Sequence, residues 1–414
     1  MVSTEKEKGT TRENIMNRIG LLKNIVKEYS WGSYTAIPKL LGKRLPYDKP
    51  QAELWMGAHF SGSSMVRTDG GWESLFGLIK KYPDEILGKD CAKKYGGELP
   101  FLFKVIAASE PLSIQAHPNR TLAMDGFKRE NRLGIPLDSF RRNYKDQNHK
   151  PECVCALTGF EALCGFRNVS ETVLLLKKAC PVTLKKQIYQ LKNNMDSSGL
   201  KSFFTSVMTI NSDRKKSVVS EAFQNAGIFA DENPAFKWVS VIAGKYPSDI
   251  SALAPLFLNY VYLEPGQAMF LQTGQLHSYL EGVALELMTG SDNVIRGGLT
   301  PKQVDVQELL KIVKFKKIKS GIILPEKNRN ESIYRTPAGE FVLSAINVAN
   351  GETYTSSENR SVEIILCIEG RAVIAGSEDD IFNMAKGKSV IIPASVKKYS
   401  ISGKATLYKA TVPL

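Results

Sequence analysis

The sequence predicts a mainly β protein with a helical insertion and a second β region at its C-terminal end. From about residue 19 to 158, short β-rich runs such as LPFLFKVIAA are broken by glycine, proline and asparagine clusters, which favours antiparallel sheets. From about residue 170 to 254, apolar residues recur at helical spacing instead, as in ETVLLLKKAC. The β pattern returns at Leu256. The helical stretch therefore divides one β domain into two parts along the chain.

A third region begins after about residue 320 and contains a short repeat of the second. The segment PGQAMFL around Gly266 resembles KGKSVII around Gly387, and each has a glycine turn before an apolar strand. The eleventh residue after Gly266 is His277, whereas the eleventh after Gly387 is Lys398. Because lysine cannot replace an imidazole ligand at neutral pH, and no histidine follows His277, we expect the second copy to be structural.

Length and composition fit a soluble globular protein of two or three domains. The chain has 414 residues, of which 43% are apolar and 23% are charged. Its apolar runs fall far short of the roughly 18 residues that cross a membrane. The polar opening MVSTEKEKGTTRENIMNRIG lacks the apolar core of a signal peptide. We expect a cytoplasmic protein with no membrane partner and a flexible tail over residues 1–18.

The net charge of +13 suggests an anionic partner. Nucleic-acid binding usually shows clustered basic residues with interleaved aromatic residues, or a known motif. Here the lysines are dispersed, and the densest runs, such as VKFKKIKS, are typical of a solvated surface. The sequence therefore predicts no nucleic-acid partner. An anionic small molecule would need only two or three well-placed cations.

The six cysteines are expected to be reduced. They are too few and too scattered for a disulfide scaffold, and none forms the C-x-x-C pair of a structural zinc site. If Glu152 lies on a strand, Cys153 and Cys155 point to the face opposite to its side chain. We expect both thiols to be buried and inert.

The four histidines lie in short, chemically dense segments, which suggests a metal site. The segments are AELWMGAH with His59, PLSIQAHPN with His117, NHKPE with His149 and LHSYLEG with His277. Zinc and similar metals bind imidazole nitrogens together with carboxylate or carbonyl oxygens, and a catalytic zinc keeps one position open. Ser113, Gln115 and His117 alternate along a predicted strand and would project from one face. Taken alone, that pattern favours a half-buried polar strand face, because glutamine is an uncommon zinc ligand.

Five segments, in order along nearly the whole chain, resemble the type I mannose-6-phosphate isomerase family. They are PQAELWMGAH, LPFLFKVIAASEPLSIQAHPN, YKDQNHKPE, ALTGFEALCGFR and the run from residue 263 to 305 that contains SDNVIRGGLTPKQVDV. Several long segments at compatible spacings are far more specific than a single glycine motif. The sequence departs slightly from the usual family pattern at Phe60, Arg120, Leu276 and Gly297. None of these positions is a metal-ligand candidate.

The resemblance implies a cupin-type β-barrel catalytic domain, an α-helical domain and a second, cupin-like β domain. Their expected ranges are 19–165 with 256–320 for the catalytic domain, 166–255 for the helical insertion and 321–414 for the C-terminal domain. The resemblance also implies one zinc ion per chain, held by Gln115, His117, Glu152 and His277. This ligand set leaves room for substrate oxygens. The oligomeric state stays open, with a monomer favoured.

Two residues close to Glu152 are further candidates. Pro151 restricts the backbone, so Lys150 and His149 are held in a fixed relation to the carboxylate. Lys150 can transfer a proton or stabilise an oxyanion, because its charged form is disfavoured near a cation and away from water. The alternative is a solvated surface charge. His149 is a candidate substrate contact, whereas His59 is expected to be structural.

Arg296 precedes two glycines, where a ligand can approach the backbone. Its guanidinium suits a phosphate or an enediolate oxygen because it donates two hydrogen bonds and stays charged. The alternative is an ion pair with Asp292 that holds a loop, but the matching arginine of the family is an active-site residue. Other candidates are Glu286 and Asp292 for acid–base chemistry, and Ser113, Lys104 and Tyr279 for substrate binding.

The resemblance implies interconversion of mannose 6-phosphate and fructose 6-phosphate, which feeds mannose or nucleotide-sugar metabolism. A proton must move between C1 and C2 through a cis-enediolate, zinc can polarise the carbonyl, and a base must reach the C2 proton. Lys150, Glu286 and Asp292 compete for that role. The rivals are a sugar-binding cupin without activity, such as a sensor, and an iron or manganese oxygenase. The presence of both Lys150 and Arg296 favours the isomerase.

Overall fold

A computed structural model describes residues 17–317, 321–376 and 380–414. The predicted tail, residues 1–18, lies outside the described residues except for its last two. The described part of the chain forms two large antiparallel sheets together with several helices. The prediction of a mainly β protein with helices is therefore confirmed.

The first part of the chain alternates short strands with short helices. In chain order these elements are β1 (Gly20–Lys23), β2 (Ile25–Lys27), α1 (Ala36–Leu40), β3 (Glu53–Met56), β4 (Ala58–His59), β5 (Gly62–Ser63), β6 (Met65–Thr68), β7 (Gly71–Ser74), α2 (Leu75–Lys81), α3 (Pro83–Leu87), α4 (Lys89–Lys94), β8 (Phe101–Ala108), β9 (Ile114–Ala116), α5 (Arg120–Arg132), β10 (Glu152–Ala156) and β11 (Phe160–Phe166). The sequence pattern did not predict helices α1 to α5. The first four are too short for a helical period to stand out. The fifth buries only small side chains and the carboxyl of Glu130.

A run of helices follows and packs against the sheet that contains β11. These are α6 (Val169–Ala179), α7 (Lys185–Asn193), α8 (Ser197–Met208), α9 (Ser212–Ile228), α10 (Pro234–Lys245), a 3₁₀ turn at Ile250–Leu253 and α11 (Ala254–Phe257). Several of them begin at an asparagine or aspartate whose side chain accepts a backbone N–H, as Asn168 and Asp196 do. Their apolar faces share one core with Leu163 and Phe166 of β11. The predicted domain boundaries at residues 166 and 255 stay predictions.

The rest of the chain returns to strands. They are β12 (Leu258–Leu263), β13 (Ala268–Leu271), β14 (His277–Thr289), β15 (Ile295–Gly298), α12 (Val306–Ile312), β16 (Ile322–Ile323), β17 (Glu326–Asn328), β18 (Glu331–Tyr334), β19 (Val342–Val348), β20 (Thr353–Thr355), β21 (Glu363–Ala375), β22 (Ile381–Ala385), β23 (Ser389–Ile392) and β24 (Ser400–Thr411). In the part of the chain that the structure describes, no helix is long and apolar enough to cross a membrane.

The two sheets share one strand order. The site sheet runs β16-β13-β10-β14-β8-β3-β2, and the C-terminal sheet runs β1-β23-β21-β24-β19-β18-β17. Strands β13 and β23 each follow a glycine turn, with Gly266 at φ 84° and Gly387 at φ 82°, a conformation that favours glycine. The internal repeat predicted from these two segments is confirmed. Each sheet also takes strands from the other end of the chain: β16 joins the site sheet, and β1, which continues to β6 and β7, joins the C-terminal sheet.

The face of β10 that points away from the site packs on the C-terminal sheet. Cys153 and Cys155 lie in a shared core with Leu343, Ile364 and Tyr408. All six cysteines are buried and form no disulfide bonds. Burial raises the pKa of Cys155 to about 11. This agrees with the expectation of inert thiols. The strand that carries Glu152 therefore rests directly on the second sheet.

Candidate metal centre and active site

Three buried side chains converge inside the site sheet. Nε2 of His117 lies 3.3 Å from Oε1 of Glu152, and Nε2 of His277 lies 3.3 Å from Oε2 of the same carboxylate. The possible ligand atoms of the three residues all lie within 4.8 Å of one another. Among the described residues, no other group of three or more His, Cys, Asp or Glu side chains has this geometry.

Backbone carbonyls fix both imidazoles in one tautomer. Nδ1 of His117 lies 2.7 Å from the carbonyl oxygen of Asn293, and Nδ1 of His277 lies 3.0 Å from that of Gln275. A carbonyl only accepts hydrogen bonds, so each Nδ1 carries the proton and each Nε2 keeps its lone pair. Both lone pairs are therefore available to a metal, as second-sphere hydrogen bonds commonly arrange.

The charge states also suit a metal. Burial, and then the charge of Lys150, lowers the pKa of His117 to about 4, so this imidazole is neutral. Burial opposes ionisation of Glu152, but Lys150 and His117 outweigh it and hold the pKa of the carboxyl well below its usual value. Nε2 of His117 is fully buried and has no hydrogen-bond partner in the described chain, and the buried Oε1 of Glu152 has only the charge of Lys150, 3.0 Å away, without a well-aligned hydrogen bond. A bound cation would satisfy both atoms.

Gln115 lies beside this trio. Its amide nitrogen is 3.3 Å from Nε2 of His277, and the two residues face each other across the β9–β14 ladder. A half-turn of the amide would present its oxygen instead, because the two orientations have the same shape. The strand predicted over Ser113, Gln115 and His117 is shorter than expected, since β9 spans Ile114–Ala116 only. Ser113 precedes it and is half-buried.

A second polar network lies behind Glu152. Lys104 Nζ is 2.9 Å from Oε2 of Glu286, and the Tyr279 hydroxyl donates to Oε1 of Glu286 at 2.7 Å. The same hydroxyl is 3.5 Å from Oε2 of Glu152. Burial opposes the charge of Lys104, but Glu286 and Glu53 outweigh it and raise the pKa of the lysine. Lys104 thus points away from the core that holds its strand neighbours, as expected from the sequence.

Lys150 and His149 point to different partners. Lys150 is buried, and its Nζ lies 3.0 Å from Oε1 of Glu152. The alternative of a solvated surface charge is therefore wrong for this lysine. Nε2 of His149 instead lies 2.8 Å from Oε1 of Glu340, in the loop between β18 and β19. No sequence pattern predicted the pairing of His149 with Glu340.

The charge of Arg296 has no partner among the described residues. Its side chain forms no ion pair or hydrogen bond with any described residue, and burial lowers its pKa. Asp292, the alternative loop partner, lies with Oδ1 3.5 Å from Nε2 of His59 instead. Burial, then Arg296 and Lys145, lowers the pKa of Lys302. Arg296, Lys302 and Lys145 therefore form a group of neighbouring cations.

Two structural residues were not found from the sequence. Asn293 is fully buried, orients His117 through its carbonyl, and binds the backbone of residues 145–148 through its amide. Ser251, from the 3₁₀ turn, donates to the carbonyl of Gly297 at 2.8 Å and lies against Gly298. The helical segment thereby supports strand β15, which carries Arg296. Asparagine and serine are common in loops, so neither residue stood out in the sequence. Only the paired glycines after Arg296 indicated that this segment has a special role.

The duplicated sheet and the buried centre define a metal-binding cupin protein. Residues 19–169 match the family model of the phosphomannose isomerase type I catalytic domain, and residues 333–412 match that of the mannose-6-phosphate isomerase cupin domain. The chain belongs to the type I phosphomannose isomerase family. The family resemblance and the prediction of an isomerase are thus confirmed.

Curated relatives and solved structures cover nearly the whole chain. Mannose-6-phosphate isomerase of Salmonella typhimurium is 40% identical over 387 residues, which are 93% of this chain and 97% of the relative. The Homo sapiens enzyme is 34% identical over 388 residues, 86% of this chain and 88% of the relative. A zinc-bound crystal structure of mannose 6-phosphate isomerase has a TM-score of 0.88 at 38% identity and covers 96% of this chain and 100% of its own.

Proposed function

We propose that this chain interconverts mannose 6-phosphate and fructose 6-phosphate with one zinc ion held by Gln115, His117, Glu152 and His277. The observation that carries the proposal is the convergence of two imidazoles and an ionised carboxylate, with the buried Nε2 of His117 left without a hydrogen-bond partner among the described residues, in a member of this family. A solved relative of the same fold is described as zinc-bound. Bound zinc would polarise the sugar carbonyl and stabilise the oxygens of a cis-enediolate.

Lys150 is the residue we favour for proton transfer between C1 and C2. Both oxygens of Glu286 are already engaged, one by Lys104 and one by Tyr279, so this carboxylate is better suited to hold its neighbours in place. Asp292 is paired with His59. Lys150 lies directly at a ligand carboxylate, beside the atoms that would hold the metal.

Arg296, Lys302 and Lys145 are suited to bind the substrate phosphate. A half-buried arginine without a carboxylate partner is costly unless a ligand supplies the anion. Burial, and then the charges of Arg296 and Lys145, lowers the pKa of Lys302. A phosphate would be attracted to all three cations, and the fork of Arg296 can donate two hydrogen bonds to it. Arg296 can also stabilise negative charge on the reacting sugar.

The proposal is tested by turnover on defined substrates. The purified protein is given mannose 6-phosphate, and fructose 6-phosphate is measured together with dissolved oxygen. We expect fructose 6-phosphate to form without oxygen uptake, and glucose 6-phosphate to serve as a comparison for specificity. Oxygen consumption would favour the oxygenase, and binding of the sugar without turnover would favour the sensor. A monomer, a cytoplasmic location and a role in nucleotide-sugar supply stay predictions.

A further inference from the structure

The ion pair between His149 and Glu340 connects the active-site segment to the C-terminal sheet. The two residues are 191 positions apart, and their side chains are 28% and 16% exposed. His149 lies three residues before Glu152. The loop between β18 and β19 thus contacts the segment that carries a metal-ligand candidate.

Residues 148–151 lead into β10 without regular secondary structure, so individual contacts must fix them. Strand β14 holds their backbone on one side. The Thr289 hydroxyl donates to the carbonyl of His149 at 2.7 Å, and the Thr289 N–H donates to that of Pro151 at 3.3 Å. Within the described chain, Glu340 is the one residue that forms a hydrogen bond or ion pair with the His149 ring.

The side chains of His149 and Lys150 point to different partners. His149 points to Glu340, whereas the next side chain, Lys150, points to Oε1 of Glu152. Without Glu340, only the contacts with Thr289 would hold the backbone of this segment, and the segment would be free to pivot about them. The ammonium of Lys150 would then lose its fixed position beside the carboxylate.

Glu340 is itself well anchored. The next residue, Phe341, is fully buried in the core shared by the two sheets. The preceding residue, Gly339, accepts a hydrogen bond from the hydroxyl of Tyr95, which follows α4. The hydrogen bond from His149 lowers the pKa of Glu340, so the carboxylate is charged. An anion on a rigid loop can hold the imidazole in place.

We propose that Glu340 is a positioning residue for the reaction: through His149 it directs Lys150 toward the metal centre. The C-terminal sheet thereby takes part in catalysis although it offers no metal site of its own. This inference rests on the proposed isomerase function and on the role of Lys150 within it.

The test compares Glu340→Ala with Glu340→Gln and with the control Glu326→Ala. Glu326 lies on the same sheet in an exposed ion pair with Arg335. We expect Glu340→Ala to lose about tenfold or more in kcat with KM little changed, as is common when a supporting hydrogen bond is removed. Glu340→Gln should recover most of the loss because its amide oxygen still accepts from His149. Glu326→Ala should match the parent protein.

A double-mutant cycle links the effect to His149. If the positioning account is right, Glu340→Ala has no further effect on kcat in a His149→Ala background. Effects that multiply, or a Glu340→Ala variant with normal kcat, would overturn the proposal. Glu340→Ser is prepared as well, in case the alanine variant does not fold.

A second readout does not depend on turnover. Lysines are acetylated under limiting reagent and located by mass spectrometry, so the accessibility of Lys150 is measured directly. We expect Lys150 to be protected in the parent protein and modified in Glu340→Ala, and unchanged protection would contradict the proposal. If the parent protein shows no isomerase turnover, the proposed function fails, while the labelling result still decides whether Glu340 positions Lys150.

Discussion

At the scale of single residues, the neighbours of each ligand candidate determine its chemistry. Carbonyl oxygens of Asn293 and Gln275 leave both Nε2 atoms free for a metal. Lys150 and His117 keep Glu152 ionised although it is fully buried. The candidate ligands could be predicted from the sequence through the family resemblance. The residues that orient them could not, because a backbone carbonyl has no sequence signature.

The two kinds of ligand should differ in importance. We expect His277→Ala to lose nearly all bound zinc, because it removes one of only two imidazole ligands. Gln115→Ala should retain part of the zinc, because water can replace an amide oxygen. Metal content of the purified variants decides this. Stoichiometric zinc in His277→Ala would refute the assignment of His277 as a ligand.

Arg296→Lys should bind zinc normally and lose about a hundredfold in turnover, because lysine keeps the charge but not the two-pronged donor geometry. Since Arg296 has no ion pair within the described chain, the melting temperature of the Arg296→Lys variant should stay near that of the parent protein. Zinc content, melting temperature and turnover are measured on one sample. Near-normal turnover with a lowered melting temperature would assign Arg296 to the scaffold.

The metal-free protein should lose stability as the pH falls. The pKa of His117 in the folded chain, about 4, lies below the ordinary histidine pKa of 6.5, so between these two pH values the unfolded chain binds a proton that the folded chain does not. The stabilisation is complete above pH 6.5 and decreases by about 3 kcal/mol on the way to pH 4. Urea unfolding at both pH values measures it. In the His117→Gln variant, the free energy of unfolding should decrease less between pH 6.5 and pH 4. An equal decrease would show that His117 is not the group responsible.

At the scale of secondary-structure elements, local patterns were predictive and long-range pairings were not. The alternation around Glu152 correctly placed Cys153 and Cys155 on the opposite face, and the two glycine turns revealed the repeat. The exchange of β1 and β16 between the sheets has no local pattern, because it depends on pairing across the whole chain. The helices before β10 were missed because they are short or bury few apolar side chains.

The contact between the 3₁₀ turn and β15 makes Gly298 hard to replace. Gly298 has φ 144°, and a Cβ there would lie 1.6 Å from Oγ of Ser251. We expect Gly298→Ala to cost about 2 kcal/mol or more in the free energy of unfolding and to reduce turnover by displacing Arg296. The control is Gly227→Ala in α9, where a Cβ meets open space and should stabilise by about 0.5–1 kcal/mol. Chemical denaturation of both variants distinguishes them, and equal stabilities would contradict the account.

At the scale of the whole molecule, one sheet holds the metal centre and its copy holds a neutralised counterpart. Glu152 pairs with Leu271 and Met288, and Glu363 pairs with the matching positions of the C-terminal sheet, Ile392 and Thr411. Two residues before Thr411, Lys409 places its ammonium 3.4 Å from Glu363. The carboxylate that matches Glu152 is therefore paired with a side-chain cation.

The second copy was expected to be structural because no histidine follows His277 and because Lys398 was counted to its position, and the placement of Lys398 was wrong. Lys398, which was counted to the position of His277, lies before β24 with its side chain 55% exposed and pairs with Glu358. It does not enter the interior of the sheet. Lys409 is the buried lysine instead, because the strand ladders and not the residue count determine which positions correspond.

Stepwise return of zinc to metal-free protein tests the central claim most directly. The metal is removed with a chelator, folding is checked by circular dichroism, and isomerisation of mannose 6-phosphate is measured after each addition of zinc. Because strand packing and not the metal holds the ligands, we expect the metal-free protein to stay folded and inactive. Turnover should then rise linearly and saturate at one zinc per chain. Full turnover without metal, or saturation at two zinc ions per chain, would contradict the account.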